Sequence, residues 1–173
     1  MSPDESRPPT EDPVISIGVL AQRVGLSVSA VRKYENEGLI LAHRTEGGRR
    51  LFCHEDIERI RHIQHLIQDV GLNIEGIRRM QALVPCWDLL PCSPETRAHC
   101  PAYVENSRPC WAIKGLDCAG QGNACRQCVV YRLGSLCTDH IKLLVHRHDD
   151  AAGTWPVIKE LLERERHAHT LER

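Results

Sequence analysis

The stretch Ile17-Gly-Val-Leu-Ala-Gln-Arg-Val-Gly-Leu-Ser-Val-Ser-Ala-Val-Arg-Lys-Tyr-Glu-Asn-Glu-Gly-Leu39 decides the fold of the first half of the chain. Ile17, Leu20, Ala21 and Val24 recur at the spacing of one helix face, and Gly25 follows as a stop. Ser27 is placed to cap a second helix that carries Val28 and Val31 and ends at Gly38. A helix, the three-residue turn Gly25-Leu-Ser27 and a second helix make the helix-turn-helix spacing. In that unit the second helix enters the major groove of DNA.

Moving outward, Leu39-Ile-Leu41 and Arg50-Leu-Phe52 read as two short strands flanking the loop Ala42-His-Arg-Thr-Glu-Gly-Gly-Arg49. Gly47-Gly48 is a hairpin signal, and a hairpin directly after the second helix is a wing. A longer helix follows, with Ile57, Ile60, Ile63, Leu66 and Ile67 on one face and Gly71 at its end. Asn73 caps a shorter one through Ile74, Ile77, Met80 and Leu83. These apolar stripes read as hydrophobic core.

The motifs just quoted, with Gly47-Gly-Arg-Arg-Leu-Phe52 and Glu55-Asp-Ile-Glu-Arg-Ile60, resemble the MerR-family DNA-binding domain over about residues 15–84. Gly71-Leu-Asn-Ile-Glu-Gly-Ile77 is similar to the heat-shock-repressor branch of that family. Ser27, Ser29, Arg32, Lys33 and Tyr34 on the second helix, and Arg44, Arg49 and Arg50 in the wing, are the candidate DNA contacts, offering donors to phosphates and base edges. Lys33 stands where the family usually has the first Tyr of a pair, and Arg49 where an aromatic is common. The resemblance implies a near-palindromic promoter site in double-stranded DNA and a homodimer, with RNA polymerase as a further partner. Cys53 takes a helix N-cap position; it reads first as a small residue tolerated there, and second as a thiolate favoured by the helix N-terminus.

Composition sets the limits of this reading. The chain has 173 residues, room for one ordinary domain or two small ones. No apolar run approaches the ~18 residues of a membrane span, and the start, Met1-Ser-Pro-Asp-Glu, lacks the pattern of a secretory signal. A cytoplasmic protein without a membrane partner is expected. A formal charge of −1 (22 basic against 23 acidic residues) excludes a protein that coats nucleic acid by bulk charge. Residues 1–13, rich in Pro and acids, read as a disordered tail, whereas residues 14–85 carry ten basic against eight acidic residues.

Nine Cys without an export signal point to metal ligation or redox chemistry. Eight of them, Cys86, Cys92, Cys100, Cys110, Cys118, Cys125, Cys128 and Cys137, fall in residues 86–137, which we delimit as a cysteine-rich domain. Cys86-Trp87, Cys92 and Cys100-Pro-Ala-Tyr103 are echoed by Cys110-Trp111, Cys118 and Cys128-Val-Val-Tyr131, a degenerate tandem repeat. The repeat resembles the two-CW module of bacterial sensory proteins, which implies a ligand site without naming its occupant. Zinc needs two close ligand pairs, and Cys125-x-x-Cys128 supplies one. An iron–sulfur cluster needs four thiolates and an apolar shell, which eight Cys and the neighbouring Trp and Tyr residues could supply, although no common ferredoxin spacing occurs. Free thiols or disulfides that respond to oxidants are the third reading. Of the metals, the iron–sulfur cluster is favoured over zinc.

Pro85, Pro91 and Pro94 interrupt the place where MerR-type regulators carry a long dimer helix. Residues 138–173 read as helical, with Ile141, Leu144 and Val145 and then Ile158, Leu161 and Leu162 on apolar faces available for dimerisation. His146, His148, His167 and His169 read as exposed side chains on polar helix faces. No phosphate loop, His-Glu-x-x-His or Cys/His catalytic pair is present, so an enzyme is not expected. The expectation is a mainly α chain: a winged helix-turn-helix domain, a small cysteine-rich domain and C-terminal helices. Its function would be sequence-specific transcription regulation with redox or metal sensing. The alternative keeps the DNA-binding half and makes the cysteine domain a structural zinc unit for protein–protein contact.

Overall fold

Short helices and one small sheet wrap an aliphatic core in the computed structural model, which describes residues 12–90, 92–105, 107–116, 118 and 123–135. β1 (Ile15–Ser16) leads directly into α1 (Ile17–Arg23), where the Ser16 hydroxyl accepts the Val19 N–H. Gly25 ends the first helix at φ +67°, a conformation that suits a residue without Cβ. Ser27 caps α2 (Val28–Asn36) by accepting the Ala30 N–H at 3.1 Å. β2 (His43–Arg44) and β3 (Arg50–Phe52) form the wing, and α3 (His54–Gln68) and α4 (Ile74–Ala82) complete the unit. Asn73 caps α4 through the Gly76 N–H at 2.7 Å.

Two features depart from the sequence reading. The first wing strand is His43–Arg44, not residues 39–41. Leu39 and Ile40 are fully buried and spend their apolar side chains on the core, which pulls that run off the sheet. In addition, β1 pairs antiparallel with β3, so the sheet has the order β1-β3-β2, with Ile15 opposite Phe52 and Arg44 opposite Arg50. The sheet is thereby tied to the start of α1, and the wing stands on the same frame as the two helices.

The core of this unit joins Leu20, Val31, Leu39, Ile40, Phe52, Ile57, Ile60, Ile63, Leu66 and Ile77. Each buried aliphatic side chain contributes about 1.5–3 kcal/mol relative to exposure, so stability here is conventional hydrophobic burial.

After Pro85 the chain breaks into short helices, α5 (Cys86–Leu89), α6 (Pro94–His99), α7 (Pro101–Val104), α8 (Asn123–Gln127) and α9 (Val129–Leu133), with a 3-10 turn at Cys110–Ala112. A second, smaller core gathers Val84, Trp111, Val130, Tyr131 and Leu133, with Leu41 from the winged unit packed against it. Cys137, the C-terminal helices expected in residues 138–173 with their four His, and most of the N-terminal tail lie outside the described residues.

Candidate nucleic-acid interface and cysteine cluster

On α2, Arg32 and Lys33 are exposed, and Ser27 and Ser29 lie exposed at its start with their hydroxyls 2.8 Å apart. Tyr34 lies on the other side: its ring belongs to the core, and burial raises its phenol above the usual range. The helix therefore divides its predicted contacts, presenting two cations and two hydroxyls to solvent and keeping the aromatic for packing.

The wing is organised by a carboxylate that the sequence reading missed. Glu35 accepts Arg44 Nη2 on Oε1 at 2.6 Å and Arg50 Nε on Oε2 at 2.7 Å. One acid on α2 thus holds an arginine from each wing strand, and charge-assisted bonds of this type are short and directional. The tip turns at residues 45–48, where the Gly48 N–H reaches the Thr45 carbonyl at 2.9 Å and Gly48 takes φ +76°. Arg49 is exposed there, its backbone N–H held by Thr45 Oγ1 at 3.1 Å. Arg32, Lys33, Arg44 and Arg49 are exposed and Arg50 is half-buried, and Glu35 holds Arg44 and Arg50 in direction.

The cysteine block meets this unit from behind. Trp111 donates its indole N–H to the Gly38 carbonyl at 2.7 Å, and the Leu41 N–H donates to the Tyr131 hydroxyl at 2.9 Å. Trp111 and Tyr131 pack edge to face at 5.2 Å, and Arg59 of α3 lies 3.9 Å from the centre of the Tyr131 ring while donating to the Tyr131 carbonyl at 2.7 Å. In the first half of the repeat, Trp87 and Tyr103 also pack edge to face, at 4.9 Å, with Arg97 5.7 Å from the Tyr103 ring centre. The repeated Cys-Trp and Cys-x-x-Tyr spacing thus corresponds to a repeated aromatic pair, though only the second pair is spent on the winged unit.

Cys53 does stand at the N-cap of α3, where its N–H donates to Asp56 Oδ2 at 2.8 Å. The thiol is 3% exposed, and burial, followed by the Asp56 charge, pushes it up to about 11. It is a neutral cap residue, and the thiolate reading for this position falls. The same Asp56 oxygen receives Arg126 Nη2 at 2.6 Å.

Seven of the eight predicted ligands are described, and no disulfide joins them. Burial first, then Cys100, Cys92, Cys118 and Cys128, push Cys86 up to about 11. Burial first, then Cys86, Cys128, Cys118 and Cys125, raise Cys110. Among the described residues no group of three or more His, Cys, Asp or Glu is gathered closely enough to hold a metal ion. Among the described residues no helix is long and apolar enough to cross a membrane.

Residues 15–83 match the family described as MerR HTH family regulatory protein. The putative heat shock protein HspR of Streptomyces coelicolor is 44% identical over 72 residues, 41% of this chain and 48% of that protein. The HTH-type transcriptional regulator GlnR of Bacillus anthracis is 37% identical over 68 residues, 39% of this chain and 52% of its own length. The HTH-type transcriptional regulator TnrA of Bacillus subtilis is 39% identical over 68 residues, 39% of this chain and 62% of its own. The chain spans about half the length of the first two of these relatives. The winged unit is thus similar to the MerR helix-turn-helix regulators, and the cysteine-rich block lies beyond the matched residues.

Proposed function

We propose that this chain is a non-enzymatic, sequence-specific DNA-binding transcription regulator whose cysteine-rich block binds a metal or iron–sulfur cluster, or reads thiol state. The observation that carries the DNA half is the Glu35 clamp, by which a carboxylate on α2, the helix that also carries the exposed Arg32 and Lys33, holds Arg44 and Arg50 of the wing. Arginines preset in direction lose less freedom on meeting phosphates than mobile ones. The family match and the transcriptional regulators among its relatives support this reading. A homodimer on a near-palindromic promoter follows from the same resemblance, with RNA polymerase as a further partner and the cytoplasm as the site of action.

The sensing half is supported by the sequence, in which the Cys residues recur in a duplicated Cys-Trp and Cys-x-x-Tyr pattern. A second reading, a structural zinc unit, is favoured by one observation: Trp111 and Tyr131 are built into the winged unit as packing. Anaerobic purification with a visible spectrum and metal analysis separates the two. Absorption near 400 nm with matching iron and sulfide supports a cluster, on the chemistry of thiolate-held iron. Stoichiometric zinc, no colour and a DNA affinity indifferent to oxidants would leave the structural reading. For the DNA half, fluorescence anisotropy on promoter fragments is decisive, and salt-sensitive, sequence-selective binding is the expected result.

A further inference from the structure

Leu41 lies in the connection between α2 and β2, the run that reads as a strand yet leaves the sheet. Both of its backbone polar groups are taken by the cysteine block. The Leu41 N–H donates to the Tyr131 hydroxyl at 2.9 Å, and the Leu41 carbonyl accepts from Arg126 Nη1. Earlier in the same connection, the Gly38 carbonyl takes the Trp111 indole N–H at 2.7 Å. The second half of the cysteine repeat thus supplies partners that a strand pairing would otherwise give this run. It reaches the far side of the wing as well. Arg126 Nη2 donates to Asp56 Oδ2 at 2.6 Å, and the same oxygen accepts the Cys53 N–H at 2.8 Å, just after β3. One guanidinium therefore bridges the two roots of the wing, Leu41 before β2 and residues 53–56 after β3. The Arg126 and Asp56 side chains are 10% and 3% exposed, and Tyr131 is buried with Arg59 of α3 held against its ring.

The wing needs such support. β2 and β3 are two and three residues long and β1 adds two more, so few cross-strand bonds fix the direction of the hairpin. We propose that Tyr131 and Arg126 are positioning residues for DNA binding, through which the second Cys-Trp repeat aims the wing. The inference rests on the DNA-regulator reading above and asks nothing of the thiols. Arg44 follows Leu41 closely, Arg50 shortly precedes Cys53, and the two arginines face each other across the hairpin. Glu35 holds them from α2, while the repeat holds the backbone on either side of them. With these ties cut, the arginines remain, but the wing has to be ordered as it meets the duplex, and that ordering is subtracted from affinity. The unit that binds DNA then extends beyond residues 15–83 to include the second repeat. A tie that only held the fold together would change stability and leave the affinity of the folded chain as it was.

The test uses full chains: wild type, Tyr131→Phe, Arg126→Lys, Arg126→Met, and a chain with Arg44→Ala and Arg50→Ala, alone and combined with Arg126→Met. Binding to a duplex selected by the wild type from a random pool is read by anisotropy at one low salt concentration. The temperature is kept well below every thermal midpoint. Tyr131→Phe and Arg126→Met should each weaken binding by about tenfold, the scale of re-ordering one or two arginine side chains. Arg126→Lys should recover part of the loss. In the chain without Arg44 and Arg50, adding Arg126→Met should change Kd by about twofold or less, because residues that act through the same contacts are not additive. Hydrogen exchange gives a readout without DNA: amides of residues 43–52 should exchange faster in Tyr131→Phe while those of α1 keep their protection. Folded variants with the wild-type Kd overturn the inference, as does an equal loss with and without the wing arginines, or unchanged exchange in the wing. If Arg126→Met does not fold, Tyr131→Phe, which removes a single oxygen, takes its place in both comparisons. In all these outcomes the regulator reading stands; a wild-type chain that selects and binds no duplex brings that reading down instead.

Discussion

Trp111 donates its indole N–H to the carbonyl of Gly38, 2.7 Å away and 73 residues earlier in the chain. Gly38 sits just past the end of α2, at φ +77°, and a Cβ there would lie 2.7 Å from that of Ala112. The cysteine block is therefore fitted onto the helix end so closely that it accepts only glycine.

Gly48 has nearly the same φ, +76°, with open space around it, which makes it a control. Gly48→Ala is expected to cost about 1–2 kcal/mol from backbone strain alone. Gly38→Ala should cost a further 1–3 kcal/mol, roughly, from overpacking against Ala112. Urea midpoints of the two variants check this, and equal losses would mean that the contact with Ala112 relaxes freely.

Trp111→Phe keeps most of the apolar volume but leaves the buried Gly38 carbonyl without its donor. A loss of about 1–3 kcal/mol is expected, the usual penalty for an unsatisfied buried polar group. Chemical denaturation of both chains measures it.

For the clamp on the wing, Arg50→Ala should weaken binding across sequences and reduce the salt slope by about one. Glu35→Gln takes the carboxylate from both arginines and removes a negative charge beside the phosphates. Non-specific affinity should rise while discrimination between promoter and scrambled duplex falls. Salt titrations with the two duplexes test this, and an unchanged ratio would show that the clamp does not set direction.

Asp56→Asn preserves shape but leaves the Arg126 guanidinium shielded from water without a counter-charge. Removing one partner of a buried pair costs about 3–5 kcal/mol. The thermal midpoint should fall accordingly, and Arg126→Met in the same background should recover part of the loss, since the unpaired charge is then gone.

The Cys53 thiol, ordinarily near 9, is pushed up to about 11 by burial and by Asp56. A group whose folded value is raised holds its proton more tightly in the fold. Its contribution is therefore complete below about pH 9 and is lost as pH rises to about 11. Denaturation midpoints across this range should fall faster for wild type than for Cys53→Ser, whose hydroxyl does not titrate there.

Much of the winged unit was legible because its signals are local. The Ser27 and Asn73 caps, the stop at Gly25 and the helical stripes each depend on residues three or four apart. Residues 39–41 misled because a short apolar run suits a strand and a buried connection equally well. Glu35, Asp56, Arg59 and Arg126 went unread for another reason. Apart from Glu35 their partners lie some 70 residues away, and no periodicity encodes such pairings. A signal did exist for two of them: Asp56 and Arg59 flank Ile57 and Ile60 in a stripe that the sequence marks as core. The duplicated Cys-Trp and Tyr spacing was visible, but nothing in it told which copy would dock.

The pairing of Asp56 with Arg126 also has a consequence in time. A ribosome makes the acid 70 residues before its counter-charge. At roughly 5–20 residues per second, the wing roots wait about 4–14 s for the guanidinium. Until then the nascent winged unit holds a carboxylate that its own sequence does not neutralise, and its helix end at Gly38 lacks the indole that closes it. Winged unit and cysteine block thus reach their final form together, and a chain truncated before α8 would carry its wing on an unfinished frame.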